Sequence, residues 1–333
     1  MKHSIFLLFF LILIGCNTNK NLINSDSYFS KEAFVANSKG QVVPVGFEFA
    51  KKEDFTVLTW NVEHFVDSYN DPYINANREN TPDSLMGNKV DNLAAAIKKI
   101  DADIVVLQEF ESAKFLRQIA TTKLEGMGYK YFADAPSHGW YMNVVVMSRF
   151  PLGITYGYGN VTTPVLGYKN EEGKPETQNR INTRMWSIEI YPNKEYNFLL
   201  TGVHLKAGRD ERDIAMRKGQ INFLKQQFHR FLKEDKHKNM LVVGDFNSIL
   251  GSQEINLFLN EKRKVEKFID PLPKTVMTHS SDNPNRRLDY ILINTNMYKE
   301  YKENSAKVPQ IYTPKKMREL SDHLPVTATF KIK

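Results

Sequence analysis

Apolar residues along this chain fall mostly into runs of strand length. FTVLTW (55–60), DIVVLQ (103–108), NVVVMS (143–148), FLLTGVHL (198–205), MLVVGDF (240–246), DYILIN (289–294) and PVTATF (325–330) are rich in Val, Ile, Leu and Phe, residues that fit a pleated, packed surface. Two windows carry a different period. Val90, Leu93, Ala94, Ile97 and Ile100 in GNKVDNLAAAIKKI, and Ile214, Ile221, Leu224, Phe228 and Phe231 within 211–233, recur at helical spacing and predict two amphipathic helices. Many strands with few helices predict an α/β fold of two packed sheets with helices outside them. Three polar stretches, 66–88, 153–182 and 294–318, interrupt the pattern and read as loops, solvated or functional. A short strand is expected within 42–45. No repeat and no second linker divides the chain, so one domain is expected over 51–333.

The first residues follow another rule. After Lys2, positions 5–14 are an unbroken apolar run of ten residues that ends in Gly15-Cys16. A membrane-spanning helix needs about 20 such residues, so the run reads as a secretory signal peptide over 1–15. LILIGC also resembles the bacterial lipobox, in which the Cys becomes the lipid-bearing first residue of the mature chain. That resemblance implies an exported protein anchored through Cys16 to a bacterial membrane, at the periplasmic face or the cell surface. A plain signal peptide with an incidental Cys is the alternative. Residues 17–50 are rich in Asn, Ser and Lys and read as a flexible tether behind the anchor.

Composition narrows the picture little. The hydrophobic fraction is 41% and the charged fraction 25%, ordinary for a globular protein of 333 residues. Cys16 is the only Cys, so the chain forms no internal disulfide and no thiolate zinc site. The net charge is +7, or +6 once the segment carrying Lys2 is removed. That excess suits an anionic substrate and equally an anionic lipid surface.

The chemistry sits where strands end. Asn61 follows VLTW, Glu109 follows DIVVLQ, His204 lies in LLTGVHL, and Asp245 and Asn247 follow MLVVG. Asp289 precedes YILI, and Asp322-His323 precedes LPVTATF. Buried strands fix their ends, so these groups can converge on one rim. Several carboxylates there would repel one another unless a cation lay among them. Oxygen donors of this kind suit Mg, Mn or Ca rather than Zn. Hydrolysis of a phosphoester needs such a cation, an aligned water and help for the leaving oxygen, which two histidines and their carboxylates can give.

The strings TWNVEHF (59–65), DIVVLQEF (103–110), TGVHLKAG (201–208), VVGDFNS (242–248), RRLDYILI (286–293) and SDHLPV (321–326) resemble, in order, those of the endonuclease/exonuclease/phosphatase superfamily. That group includes deoxyribonuclease I, exonuclease III, the abasic-site endonucleases, inositol polyphosphate phosphatases and neutral sphingomyelinases. The resemblance covers about residue 57 to the C-terminus. It implies a four-layer α/β sandwich of the deoxyribonuclease I type and a divalent-metal-dependent phosphoesterase with Mg2+, Mn2+ or Ca2+. It also implies roles for single residues. Glu109 would be the principal metal carboxylate, Asn61 would support metal or phosphate, and Asp322 would be a further acidic ligand. His323 would be the general base or a phosphate-binding imidazolium, oriented by Asp289. Asp245 and Asn247 would position the nucleophile and phosphate oxygens. His204 would bind the phosphate and could protonate the leaving group, although the glutamate that backs this histidine in deoxyribonuclease I has no identifiable counterpart in the sequence. Arg184 and Arg287 are candidate substrate contacts, with a structural ion pair as the alternative for Arg184. His64, His138, His229, His237 and His279 read as surface or loop residues.

Lys206, Arg209, Arg286, Lys315, Lys316 and Arg318 flank these strings, and Tyr156 and Tyr158 lie in the middle loop. They lead to the expectation of a monomer that cleaves nucleic acid, DNA first. A phosphatase or phospholipase-type hydrolase acting on inositol phosphates, sugar phosphates or phospholipid headgroups is the second reading. A non-catalytic surface binding protein is the third.

Overall fold

The computed structural model describes residues 34–36, 40–136 and 139–333. The signal peptide, Cys16 and His138 lie outside the described residues.

Fifteen strands and six α-helices follow along the described chain: β1 (Phe34–Ala36), β2 (Val42–Pro44), β3 (Asp54–Phe65), α1 (Asn77–Asn80), α2 (Met86–Ile100), β4 (Ile104–Phe110), α3 (Ala113–Lys123), β5 (Tyr131–Asp134), β6 (Asn143–Ser148), β7 (Leu152–Gly157), β8 (Thr163–Lys169), β9 (Pro175–Gln178), β10 (Met185–Ile190), β11 (Phe198–His204), α4 (Glu211–Glu234), β12 (Met240–Asp245), α5 (Gln253–Leu259), β13 (Phe268–Ile269), β14 (Asp289–Asn294), α6 (Pro314–Leu320) and β15 (Val326–Lys331). One sheet has the order β15-β3-β4-β6-β5 and the other β13-β14-β12-β11-β10-β7. The central pairs β3–β4 and β11–β12 are parallel, and the outer pairs are antiparallel.

Alternation explains how the layers form. Phe55 and Val57 of β3, Phe198 and Leu200 of β11, Leu241 and Val243 of β12, and Ile291 and Ile293 of β14 fill the core between the sheets. Their neighbours Leu58 and Trp60 face the other way, into a second core with Leu93, Ile97, Leu116 and Leu320 of the helices. Leu199, Val242 and Leu292 face Ile221, Leu224 and Phe228 of α4. Helices cover both outer faces, so the central strands are buried on both sides and read as unbroken apolar runs. This is the expected four-layer sandwich.

The loop expectations need correction. The stretch 153–182 holds most of β7, which closes one edge of the six-stranded sheet, and the β8–β9 hairpin, whose Val165 packs with Ala215 and Met216 of α4. Its glycines and prolines hid it: Gly153 and Gly157 interrupt β7, and Pro164 and Gly167 interrupt β8. The stretch 66–88 holds the four-residue α1, and helices α3, α5 and α6 were also not foreseen. They are short, and caps make up for length: Ser112, Ser252 and Thr313 each accept a backbone N–H of the first turn. The folded chain begins before residue 51. Val42–Pro44 pairs with Phe34–Ala36, and the ring of Phe47 lies 6.2 Å from that of Tyr131. No helix among the described residues is long and apolar enough to cross a membrane.

Candidate active site

The core between the sheets ends in a polar row. In register, His204 of β11 lies beside Asp245 of β12, which lies beside Asp289 of β14. All three continue the inward-facing series that holds Phe198, Leu241 and Ile291. From the facing sheet, Asn61 continues the series of Phe55 and Val57. One set of side chains therefore changes from apolar to polar at one end of the sandwich. Gly244 makes the close strand approach beside Asp245: its φ is +138°, and a Cβ there would lie 1.9 Å from the Val203 carbonyl oxygen.

Asn61 ties the two sheets together. Its Nδ2 donates to Glu109 Oε1 at 3.2 Å and to Asp245 Oδ2 at 3.1 Å, and its Oδ1 accepts from the Glu63 amide at 3.1 Å. Glu109 also accepts the His64 amide at 3.1 Å. His204 Nε2 lies 3.7 Å from both Glu109 Oε1 and Asp245 Oδ2. Asp245 Oδ1 accepts the Asn247 amide at 2.7 Å, and Asn247 Nδ2 donates to the Leu205 carbonyl at 3.1 Å. Glu63, His64, Glu109 and Asn247 have φ of 51°, 50°, 56° and 48°. Non-glycine residues seldom adopt this conformation, and the hydrogen bonds above hold it here.

Asp289 is fully buried and its Oδ2 lies 2.8 Å from His323 Nδ1. A carboxylate accepts, so His323 carries hydrogen on Nδ1 and turns Nε2 toward Asp245 Oδ2 at 3.8 Å. Backbone contacts fix the ring's position. Trp60 Nε1 donates to the His323 carbonyl at 2.9 Å, and the His323 amide donates to Ser321 Oγ at 3.0 Å, which itself donates to the Asn61 carbonyl at 2.6 Å.

Charge governs protonation. Burial alone would lower His323, but Asp289, Asp245 and Asp322 raise it to about 10, so it is an imidazolium at neutral pH. Burial lowers His204 despite Asp245 and Glu109, which favours the neutral ring. Burial raises Glu109, yet His204, His64 and the Asn61 hydrogen bond bring it below its ordinary value. Asp322 falls to about 2, because contacts with His279, His323 and Arg318 outweigh burial. These surroundings favour the imidazolium reading of His323 over the free-base one.

The residues expected at the site, Asn61, Glu109, His204, Asp245, Asn247, Asp289, Asp322 and His323, come together. Arg184 lies at the edge, where Nη1 reaches the Leu205 carbonyl at 3.2 Å and the buried Nε has no partner. Among the described residues, no carboxylate lies within ion-pair distance of it. Arg287 is not brought to the site: its guanidinium is fully buried against Asp270 at 2.5 Å and the carbonyls of Val276, Leu272 and Pro273. Tyr158 is also withdrawn, bonded to Ser187 at 3.2 Å and packed on Phe223, while Tyr156 packs on Phe231. Neither is placed to stack on a substrate.

Three contributors were missed in the sequence. His64 Nδ1 bonds Tyr141 Oη at 2.9 Å and its Nε2 lies 3.6 Å from Glu109. His279 Nε2 lies 3.4 Å from Asp322. Glu63 Oε2 accepts the Asp322 amide at 3.1 Å and pairs with Arg318 at 2.7 Å. Only the acidic character of NVEH hinted at Glu63. Among the described residues, no carboxylate lies within ion-pair distance of His204 Nδ1, so the missing glutamate partner stays without a counterpart.

Donors for a divalent cation are abundant, and the residues fit one. Two groups have ligand atoms within 4.8 Å of one another: His279, Asp322 and His323, and Asp245, Asp289 and His323. Both contain His323, whose Nδ1 is committed to Asp289 and whose positive charge repels a cation. Glu109 belongs to neither group. Its carboxylate keeps 17% exposure, touches Asn61, and shares with Asp322 and Glu63 the electrostatic surroundings of Lys89.

The sequence profile of the endonuclease/exonuclease/phosphatase family matches residues 58–323. No curated protein matches the chain in sequence. Among solved structures, truncated TDP2 of Caenorhabditis elegans is 17% identical with a TM-score of 0.54, over 84% of this chain and 98% of that one. An endonuclease/exonuclease/phosphatase from Bacteroides vulgatus gives 16%, 0.53, 85% and 100%. The mannosyl-6-phosphatase Bt3783 of Bacteroides thetaiotaomicron gives 16%, 0.50, 84% and 100%.

The raised value of His323 has a testable sign. Stability from its pairing is complete below the unfolded value near 6.5 and is lost as pH rises through about 10. In Asp289→Asn, the NMR titration midpoint of His323 should fall by roughly 2 pH units, the scale of a lost adjacent charge. The loss of melting temperature above pH 8 should shrink with it. An unchanged midpoint would remove Asp289 as the source.

Proposed function

The chain belongs to the endonuclease/exonuclease/phosphatase family, and on that premise we propose that it is an exported, lipid-anchored phosphoester hydrolase whose substrate is compact, such as a sugar phosphate, an inositol phosphate or a lipid headgroup. Phosphoester hydrolysis comes with the family. The observation that carries the finer reading is the fate of the basic residues. Lys206 pairs with Asp213 at 2.9 Å, Arg318 with Glu63 at 2.7 Å, and Arg287 with Asp270 at 2.5 Å. Arg286 bonds His279 at 2.8 Å. Binding along a duplex relies on cations that neutralise successive phosphates; Lys206, Arg286, Arg287 and Arg318 already have partners within the protein, while Arg209 and Lys315 stay exposed. The mannosyl-6-phosphatase relative fits a compact substrate. DNA remains the second reading, favoured by the net charge of +7.

The residues divide the work. Glu109, with Asn61 and Asp322, would hold a divalent cation. When bound it would neutralise phosphate oxygens, polarise the phosphorus centre and offset the carboxylates that now hold His323 protonated. His323, fixed by Asp289, faces the site with Nε2 and as an imidazolium donates a hydrogen bond to a phosphate oxygen. Asp245 lies 3.8 Å from that nitrogen and aligns the water. His204 and Arg184 face the phosphate, and the neutral form of His204 donates one hydrogen bond.

Three outcomes test this reading. With Mg or Mn, mannose 6-phosphate, an inositol phosphate or sphingomyelin should be hydrolysed faster than plasmid DNA, and added salt should change the rate little. Rapid, steeply salt-sensitive plasmid cleavage with the small esters left intact would reverse the order of the two readings. Chelator should abolish turnover, and Glu109→Gln should raise the metal concentration for half-activity without changing the melting temperature. Cys16→Ser should move the protein from the membrane to the soluble fraction, and unchanged retention would refute the anchor.

A further inference from the structure

We infer that His279 is a positioning residue for the Asp322–His323 pair, held in one tautomer by Arg286. The inference rests on the assignment of Asp322 and His323 to the reacting centre, and it is independent of the substrate.

The backbone gives His279 a fixed place. Its amide donates to the Arg286 carbonyl at 3.0 Å, and the Arg286 amide donates back to the His279 carbonyl at 3.0 Å. On the other side, the Leu324 amide donates to the Thr278 carbonyl at 2.7 Å and the Ser281 amide to the Asp322 carbonyl at 2.8 Å. His279 is thus stitched between the segment that leads into β14 and the turn that carries Asp322 and His323.

The side chain completes the arrangement. Arg286 Nη2 lies 2.8 Å from His279 Nδ1. A guanidinium only donates, so Nδ1 presents its lone pair and the ring hydrogen sits on Nε2. That nitrogen faces Asp322 Oδ2 at 3.4 Å, a distance that shortens readily when substrate closes a site. With Oδ2 engaged, Asp322 turns Oδ1 to His323 Nε2 at 3.9 Å. The His279 ring also packs edge-on against that of His323, with centroids 4.8 Å apart. His279 therefore fixes both the rotamer of Asp322 and one wall of the His323 pocket. With its two nitrogens engaged, it acts through these neighbours rather than as a ligand.

The test uses the full chain with bis(4-nitrophenyl) phosphate and Mn. His279→Ala should lower kcat on the order of tenfold, the scale of losing a residue that orients another, with KM changed less than about twofold. His279→Gln, whose amide can present a hydrogen near the place of Nε2, should recover most of kcat. Arg286→Ala should resemble His279→Ala, and the double variant should be no worse than either single one. A rise in KM alone, a Gln variant as poor as Ala, or multiplicative losses would overturn the inference. Full activity in His323→Ala would instead remove the assignment on which it rests. A second readout needs no turnover. Long-range ¹H–¹⁵N spectra should show His279 hydrogen-bearing at Nε2 in the wild type and a mixed tautomer in Arg286→Ala. A wild-type ring protonated on Nδ1 alone would contradict the proposal.

Discussion

The site depends on one side-chain amide. Asn61 Nδ2 donates to Glu109 within its own sheet and to Asp245 in the facing sheet, at 3.2 and 3.1 Å. Two carboxylates in a poorly solvated cleft repel one another, and a donor held between them offsets that repulsion. The amide can do this only because both sheets present their last inward-facing positions at the same level. Register supplies that level. The row His204–Asp245–Asp289 crosses three adjacent strands with no slip, and Asn61 meets it from the opposite sheet. A slip of one residue in any of these strands would turn its polar group out to the helical layer.

Carboxylates outnumber what the imidazoles and the amide can balance. Glu63, Glu109, Asp245, Asp289 and Asp322 lie close together, and Asp289, Asp245 and Asp322 among them raise His323 to about 10 against its burial. Structural ion pairs answer part of it: Arg318 holds Glu63 at 2.7 Å. Glu109 is partly open to solvent, with 17% of its side chain exposed. A hard cation there would relieve the repulsion and at the same time supply what phosphoester hydrolysis needs. Withdrawing the cation would then weaken both the stability of the site and its activity.

Much of this was legible in the sequence, for a simple reason. Central strands buried on both faces leave unbroken apolar runs, and a polar residue ending such a run has few structural explanations. Asn61, Glu109, His204, Asp245, Asp289 and His323 all stand at such ends. His279 does not. It lies in an irregular segment whose partners, Arg286 and His323, are fixed by tertiary pairing. Glu63 and His64 were obscured because left-handed backbone breaks the alternation of β3 just where they occur. Arg287 misled in the other direction. Its neighbour Asp289 meets His323 at the polar rim, but its own partner Asp270 lies 17 residues away and draws the guanidinium into the core. Tyr158 stood in a stretch read as loop, and only the edge strand β7 before it shows that the ring is interior.

A divalent cation held by Glu109 would organise the acidic rim. Anomalous scattering from a crystal grown with Mn tests it most directly. The account predicts a single strong peak ligated by Glu109, absent in Glu109→Gln crystals grown identically. A peak confined to the surface, or one that persists unchanged in Glu109→Gln, would contradict it.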